Sequence, residues 1–237
     1  FDIRELDVLG TAPLRNIVIT VEALDTIRAV TGVGVEVLSG ADEAALSFLG
    51  ATVGGGAPAA GLLADIGGGS TELVAYENCA ITSGCSLPMG SLSLFTDYVS
   101  GLFPTREERR ALRNRVENEL ERARTAGVHC AHLTGVGGTI RAAAKLYNAC
   151  SGADPANRVI PAEELRGLYK ELKKGDQGTL RQILRTAPDR VHTILPGLAI
   201  LCAVLKSYEV ETISVSACGV REGYLLQRVM GVENHDE

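Results

Sequence analysis

The chain has 237 residues, enough for one large or two modest domains with a buried core. Apolar residues make up 46% and charged residues 22%, a globular composition that argues against disordered, collagen-like and coiled-coil chains. The formal net charge is −6, so no overall basic field gathers nucleic acid or an anionic membrane. A polyanionic substrate therefore needs a local site or a metal ion.

The apolar segments argue against membrane insertion and export. The longest nearly continuous apolar run, residues 194–205, is interrupted by Pro196 and Gly197 and is too short to span a bilayer. The N-terminal segment has neither a basic region nor a signal-peptide cleavage site. The six cysteines form no CxxC pair, which predicts buried thiols rather than a zinc or redox site. We therefore expect a cytoplasmic protein without a membrane partner.

Short strands and helices alternate in the first part of the chain. We predict, in chain order, a strand over 2–9, a helix over 21–30, a strand over 33–38, a helix from 39 to 50, a Gly/Ala/Pro-rich linker over 51–61, and strands over 62–66 and 71–76. The helix that starts near residue 39 opens with Ser39-Gly40-Ala41-Asp42, which has the S-x-x-D order of a capping box.

The second part of the chain continues the alternation. We predict a charged helix over 105–126, a strand over 128–133, a loop over 135–138, helices over 139–147, 165–172 and 198–205, a strand over 212–216 and a helix over 221–229. The helix over 105–126 carries many arginines and glutamates. Its charged face could be a basic patch that binds RNA or a solvated face with internal salt bridges, and the second is the commoner case. The whole pattern predicts an α/β fold with a mixed sheet flanked by helices.

The most specific motif is the tract from Leu62 to Val74, which has Asp-Ile-Gly-Gly-Gly-Ser-Thr-Glu at its centre. Gly68-Gly69 is predicted to form a two-residue hairpin turn, since glycine accepts positive φ at both positions. Asp65 and Glu72 then face each other across the two strands, where like charges are unfavourable unless a cation is near. An acid pair beside exposed glycine amides is the arrangement that binds a Mg²⁺–phosphate complex. A glycine-rich hairpin with two solvated acids is the alternative.

A second glycine-rich stretch, Gly135-Val136-Gly137-Gly138-Thr139, follows a strand and opens a helix. Several free amides and the positive end of the helix dipole meet at such a point, which favours phosphate. The alternative is a tight turn with no ligand.

Glu43 and Arg15 are two further candidates. Glu43 follows the predicted helix cap and is a candidate general base, although a helix-favouring acid at this position is the simpler interpretation. Arg15 lies at an element boundary, where its guanidinium could bind phosphate, although such an arginine is more often a surface charge.

These stretches together resemble the exopolyphosphatase / guanosine pentaphosphate phosphohydrolase (Ppx/GppA) family of the sugar-kinase, Hsp70 and actin-like superfamily. The Asp65-to-Val74 tract is the most specific of them. The other matching stretches, in the family's order, are 11–15, 37–44, 89–90, 135–140, 195–201 and 215–223.

The resemblance implies a two-lobed, actin-like or ribonuclease H-like fold with an active site in the cleft between the lobes. By similarity, Glu43 would be the base for the attacking water, and Asp65 and Glu72 would position Mg²⁺. Arg15 would contact the transferring group. The residues implied to bind phosphate are Gly67, Gly68, Gly69, Ser70, Gly137, Gly138 and Thr139. The implied reaction releases orthophosphate from inorganic polyphosphate or guanosine pentaphosphate (pppGpp), and the expected assembly is a homodimer.

The chain departs from the family pattern at its start. The family's first phosphate loop normally precedes the Thr-Ala-x-x-Arg stretch, which here is Thr11 to Arg15. We therefore expect residues 1–50 to be a remnant of the first lobe ending in the Glu43 helix, and residues 51–237 to be the second lobe. Whether this chain alone is active is left open. The alternatives are a nucleotide- or alarmone-binding sensor without turnover and, less favoured, a kinase of the same superfamily.

Overall fold

A computed structural model describes residues 5–16, 20–53, 57–123 and 130–231. The strands are β1 (Leu9–Gly10), β2 (Glu36–Val37), β3 (Ala60–Ile66), β4 (Thr71–Glu77), β5 (Ala80–Leu87), β6 (His132–Val136), β7 (Val159–Pro161) and β8 (Thr212–Val215). The helices are α1 (Ala12–Arg15), α2 (Thr20–Thr31), α3 (Gly40–Val53), α4 (Ser91–Tyr98), α5 (Arg106–Ala123), α6 (Gly137–Ser151), α7 (Ala162–Leu172), α8 (Gln177–Thr186), α9 (Ile194–Ser207) and α10 (Val220–Met230). A 3₁₀ turn covers Pro188–Arg190.

The main sheet has the strand order β5-β4-β3-β6-β8-β7. Strands β3, β6 and β8 are parallel, whereas β4 is antiparallel to both β3 and β5. Numbered along the chain, the six strands of this sheet lie in the order 3-2-1-4-6-5. When β7, which pairs with β8 at the edge, is left out, the remaining five strands have the 3-2-1-4-5 order of ribonuclease H-like folds. The predicted actin-like α/β fold with a mixed sheet is confirmed. Strands β1 and β2 form a separate parallel pair.

Strand β3 is buried on both faces and separates two cores. Leu62, Ala64 and Ile66 belong to the larger core, which includes residues of α5, α6 and α9. Leu63 belongs to the smaller core together with Phe48 of α3. Because side chains alternate along a strand, Asp65 shares the face of Leu63 and lies toward α3. The alternation of β3 thus directs one carboxylate to the α3 side of the sheet.

Helix α3 is held by close contact with α10 through glycines. A Cβ on Gly50 would collide with the backbone carbonyl of Gly219, and one on Gly223 would collide with the carbonyl of Leu46. The absence of side chains lets the two backbones approach directly, which fixes α3 over the sheet.

Several predicted boundaries are wrong. The strand predicted at 128–133 begins four residues later, at His132, and ends at Val136; residues 128 and 129 fall outside the described residues. Gly135 and Val136 are therefore strand rather than loop, and a Cβ on Gly135 would lie 2.6 Å from Ile140 Cγ2. Helix α3 continues past residue 50 into the predicted linker, of which 54–56 fall outside the described residues.

Strand β5 and helices α4 and α8 have no counterpart in the sequence analysis. Strand β5 lies at the edge of the sheet and its residues alternate between exposed and half-buried, so its sequence Ala-Ile-Thr-Ser-Gly-Cys-Ser-Leu carries little apolar signal. No helix within the described residues is long and apolar enough to cross a membrane. The division of the chain into lobes at residue 50 stays a prediction.

Candidate active site

The predicted acid pair lies at the turn between β3 and β4. Asp65 is directly opposite Glu72 in the ladder, and the amide of Gly67 donates to the carbonyl of Ser70 at 3.0 Å. The predicted hairpin register is therefore confirmed. Both acids are buried, Asp65 with 8% and Glu72 with 1% of its surface exposed. The alternative of two solvated acids is thus excluded.

The turn itself differs from the expected conformation. Neither Gly68 nor Gly69 has a positive φ, so the reason given for the Gly-Gly pair is wrong. The turn instead meets the start of α4. The amides of Leu92 and Ser93 both donate to the Gly68 carbonyl at 2.9 Å, and a Cβ on Gly90 would collide with that carbonyl. Position 90 is glycine because the start of α4 lies too close to Gly68 for a side chain, and not because its backbone needs a positive φ.

The contact with α4 uses the carbonyl oxygens of the turn but leaves two of its amides without an acceptor in the described part of the protein. The carbonyl of Gly67 accepts the amide of Ser91 at 2.9 Å, so the carbonyl oxygens of Gly67 and Gly68 are both occupied. Among the described residues, the amides of Gly68 and Gly69 donate to no protein acceptor. Two half-buried N–H groups remain available beside the acid pair, a suitable arrangement for phosphate oxygens.

Helix α3 brings Glu43 and Ser47 to the same site because residues four apart share one helix face. Glu43 is 8% exposed, and Arg15 Nη1 donates to its Oε2 at 3.1 Å and to the Leu38 carbonyl at 2.7 Å. Arg15 therefore holds the carboxylate of Glu43 in place.

The predicted capping box at the start of α3 is also present. The amide of Asp42 donates to Ser39 Oγ, and the amide of Ser39 donates to Asp42 Oδ2, both at 3.1 Å. This reciprocal pair fixes the first turn of α3, one residue before Glu43.

Two serines that the sequence analysis missed hold the acid pair. Ser47 Oγ donates to Asp65 Oδ2 at 2.7 Å, and Ser86 Oγ donates to Glu72 Oε1 at 2.7 Å. Ser47 could have been found from its spacing to Glu43. Ser86 lies on β5, directly opposite Glu72 in the ladder, and was missed because β5 was missed.

Burial and mutual repulsion disfavour the charged forms of both acids. Burial raises the pKa of Asp65, and the charge of Glu43 raises it further; the Ser47 hydroxyl and the Arg141 guanidinium act in the opposite direction. Burial, together with the charges of Glu43 and Asp65, raises the pKa of Glu72 to about 7. The site therefore concentrates negative charge at low dielectric, where a cation would be strongly stabilised.

The second glycine loop contacts the acid pair directly. Gly137 has φ +94°, and a Cβ there would lie 2.6 Å from Asp65 Oδ1 and 2.8 Å from the Ile66 carbonyl. Gly137 and Gly138 form the first turn of α6. The first amides of a helix have no intrahelical partner, and no described side chain caps those of α6. The two glycine stretches therefore meet at the acid pair.

Two residues that contact this loop, Arg190 and Gly197, were not predicted. The Arg190 guanidinium lies against Gly138, where a Cβ would be 2.8 Å from its Cζ. Thr139 is 2% exposed and packs against Gly197 at the start of α9. Arg190 adds a cation to the uncapped end of α6, but its position depends on the 3₁₀ turn and carries no local sequence signal.

The acid pair supplies oxygen ligands of the kind that Mg²⁺ prefers. Within the described residues, no group of three or more His, Cys, Asp or Glu side chains is arranged to hold a metal. Asp65 and Glu72 provide two adjacent buried carboxylates. Because Mg²⁺ is commonly held by one or two carboxylates, with water and substrate phosphate completing the shell, this pair fits Mg²⁺ bound together with a phosphate.

Comparisons with known proteins identify relatives of this chain in sequence and in fold. The model of the Ppx/GppA phosphatase family matches residues 1–231. An exopolyphosphatase 1 of Mycobacterium leprae is 27% identical over 231 residues, which cover 95% of this chain and 68% of that protein. A guanosine-5'-triphosphate,3'-diphosphate pyrophosphatase of Photobacterium profundum is 26% identical, and the match covers 97% of this chain but 46% of the relative. The crystal structure of the Aquifex aeolicus family member has a TM-score of 0.78 at 25% identity, covering 99% of this chain and 76% of that one.

Proposed function

This chain belongs to the Ppx/GppA phosphatase family, and we propose that it hydrolyses a terminal phosphoanhydride, releasing orthophosphate from inorganic polyphosphate, pppGpp or both. The observation that carries the proposal is that Glu43 lies within electrostatic reach of the Asp65–Glu72 pair, beside two glycine loops that have free amides. The names of the relatives supply the two substrate classes.

Substrate binding in this proposal depends on backbone groups. The amides of Gly68 and Gly69 and the uncapped start of α6 would donate to oxygens of the terminal phosphates. These donors are fixed by the hairpin and by the start of a helix, so they need no reorganisation when charge develops on the phosphoryl group. Gly67, Ser70 and Thr139 would shape the same cradle.

Glu43 is the proposed general base. A water between its carboxylate and the terminal phosphorus would lose a proton to Glu43 as its oxygen forms the new P–O bond. The bond from that phosphorus to the bridging oxygen breaks, and the bridging oxygen leaves with the shortened product. The ion pair with Arg15 fixes the direction of the carboxylate, and Arg15 would also contact the transferring group.

Asp65 and Glu72 would hold Mg²⁺ with the substrate phosphates; when bound, the ion would supply neutralisation of phosphate charge. The two carboxylates must lose their protons to bind it. Because the pKa of Glu72 is about 7, metal binding would release a proton and would weaken below neutral pH.

The test is orthophosphate release in the presence of Mg²⁺, with polyphosphate and pppGpp offered in parallel. It uses this chain and the longest open reading frame that contains it, each with Glu43→Ala and with the control Glu22→Ala, an exposed acid on α2. We expect release that is lost in Glu43→Ala and kept in Glu22→Ala, and the faster substrate identifies the preference. Release that persists at the parent rate in Glu43→Ala would contradict the proposal.

A non-hydrolysing sensor is the second candidate, because the free amides of Gly68 and Gly69 could bind phosphate without any role for Glu43. Tight binding of either substrate without orthophosphate release, unchanged in Glu43→Ala, would support the sensor instead. A cytoplasmic location and a homodimeric assembly stay predictions.

A further inference from the structure

Helices α5, α7 and α9 enclose a groove of about 990 Å³, which we call the basic groove. Four arginines of α5 line it, Arg106, Arg109, Arg110 and Arg113. Arg166 of α7, Lys173 at the C-terminal cap of α7 and Lys206 of α9 add three further cations. None of the candidate active-site residues lines it. It is therefore a second feature, separate from the acid pair.

The sequence spacing explains why one face of α5 is basic. Residues 106, 109, 110 and 113 follow the i, i+3, i+4, i+7 pattern, so their four guanidinium groups lie along one stripe of the helix. The stripe is about 10 Å long at 1.5 Å per residue. Such a stripe presents a row of charges rather than a single binding point.

Most of these charges are not paired with an acid of the described residues. Glu119 pairs with Arg115 and Arg122, neither of which lines the groove. Within the described part of the chain, Arg106, Arg110 and Arg113 take part in no ion pair. The sequence-based interpretation of α5 as a salt-bridged face therefore holds for the Glu119 cluster but not for the groove side.

The charge balance of the groove is opposite to that of the chain. Seven arginine and lysine side chains and two glutamates, Glu107 and Glu117, line it, which leaves an excess of five positive charges. The chain as a whole carries −6. A local excess of this size attracts a polyanion against the overall field.

The floor of the groove adds no negative charge. Burial raises the pKa of the Tyr169 phenol to about 12 and that of the Cys202 thiol to about 12, so both stay protonated at neutral pH. Ala199 and Ala203 provide the rest of the floor on the α9 side. Small side chains keep the groove open to an extended ligand.

We propose that the basic groove binds a stretch of inorganic polyphosphate away from the chain end that is cut, which rests on the proposed function for its substrate class. A polyphosphate chain is a flexible row of negative charges without bases, and it matches a row of guanidinium groups over small floor residues. Single-stranded nucleic acid is favoured less because such sites stack bases on aromatic side chains, and Tyr169, half-buried, is the one aromatic side chain in the lining.

The test measures binding of fluorescently labelled long-chain polyphosphate by anisotropy, with a chelator present so that the ligand is not shortened. The variant is Arg110→Glu/Arg113→Glu on α5. The matched control is Arg181→Glu/Arg185→Glu, two exposed arginines on α8 that make the same change of net charge outside the groove. Thermal melting of all three proteins checks that the fold is kept.

We expect the α5 variant to bind polyphosphate roughly tenfold more weakly or worse, with a shallower dependence on salt, and the α8 control to bind like the parent. This result supports the groove even if no orthophosphate is released, so it is separable from the proposed function. Equal weakening in both variants, or none in either, would overturn the proposal. So would single-stranded RNA of matched charge that binds as tightly and depends on the same two arginines.

Discussion

The buried acid pair makes a quantitative prediction about pH and stability. Glu72 is 1% exposed and its pKa is raised to about 7 from an ordinary 4.5. As pH rises from about 4.5 to 7, the unfolded chain loses this proton before the folded chain does. The folded state then binds more protons, so the free energy of unfolding falls as pH rises. Glu72→Gln keeps the shape and an acceptor for Ser86 but cannot ionise.

The size of the effect follows from the two pKa values. At about 1.4 kcal/mol per pH unit, the difference between 4.5 and about 7 corresponds to about 3 kcal/mol once both states are ionised. We therefore expect Glu72→Gln to be more stable than the parent by about 3 kcal/mol at pH 8.5, without added metal. The advantage shrinks through the interval down to pH 4.5, where the parent glutamate is protonated when folded.

Urea unfolding followed by circular dichroism across pH 4.5 to 8.5 measures this difference. Glu77→Gln is the control, because Glu77 is exposed at the far end of the same strand, β4. We expect it to change stability little, and equally at every pH. A Glu72→Gln chain that is less stable than the parent at pH 8.5, or whose difference does not vary with pH, would refute the argument that burial and neighbouring charge hold this carboxyl protonated.

Three further predictions concern the positions that build the site, each measured by urea unfolding. Gly137→Ala should cost several kcal/mol, since it strains a positive φ and drives a methyl group into Asp65; Gly152→Ala, at φ +72° with nothing near, should cost only about 1 kcal/mol. Ser47→Ala should cost about 1–3 kcal/mol, because it removes the donor to buried Asp65; a neutral result would contradict that bond. Gly223→Ala should prevent close packing of α10 on α3, and a urea midpoint equal to that of the parent would contradict it.

The pairing in the hairpin could be predicted from the sequence because, once the two turn residues are known, each residue of one antiparallel strand has a fixed partner on the other. Two central glycines at 68 and 69 place Asp65 opposite Glu72 whatever the rest of the fold does. The reason assigned to those glycines was nevertheless wrong. Gly68 lies against Leu92 of α4 and Gly69 against Ala12 of α1, and contacts with elements so distant in the chain leave no local pattern around the turn.

The supporting residues could not be derived, since each depends on an element with a weak or distant signal. Ser86 reaches Glu72 only through β5, an edge strand with little apolar alternation. Arg190 reaches Gly138 only through the 3₁₀ turn before α9. The basic groove requires three helices to pack together, although the spacing of arginines on α5 alone indicated where one wall would lie.

The central claim is that water attacks the terminal phosphorus with Glu43 as the base. A single turnover in ¹⁸O-labelled water, run with Mg²⁺ on the longest open reading frame that contains this chain, tests it most directly. We expect one ¹⁸O atom in each orthophosphate released, none in the shortened product, and turnover that falls by roughly a hundredfold or more in Glu43→Gln but not in Glu22→Gln. Label in the shortened product, or turnover in Glu43→Gln equal to that of the parent, would contradict the account.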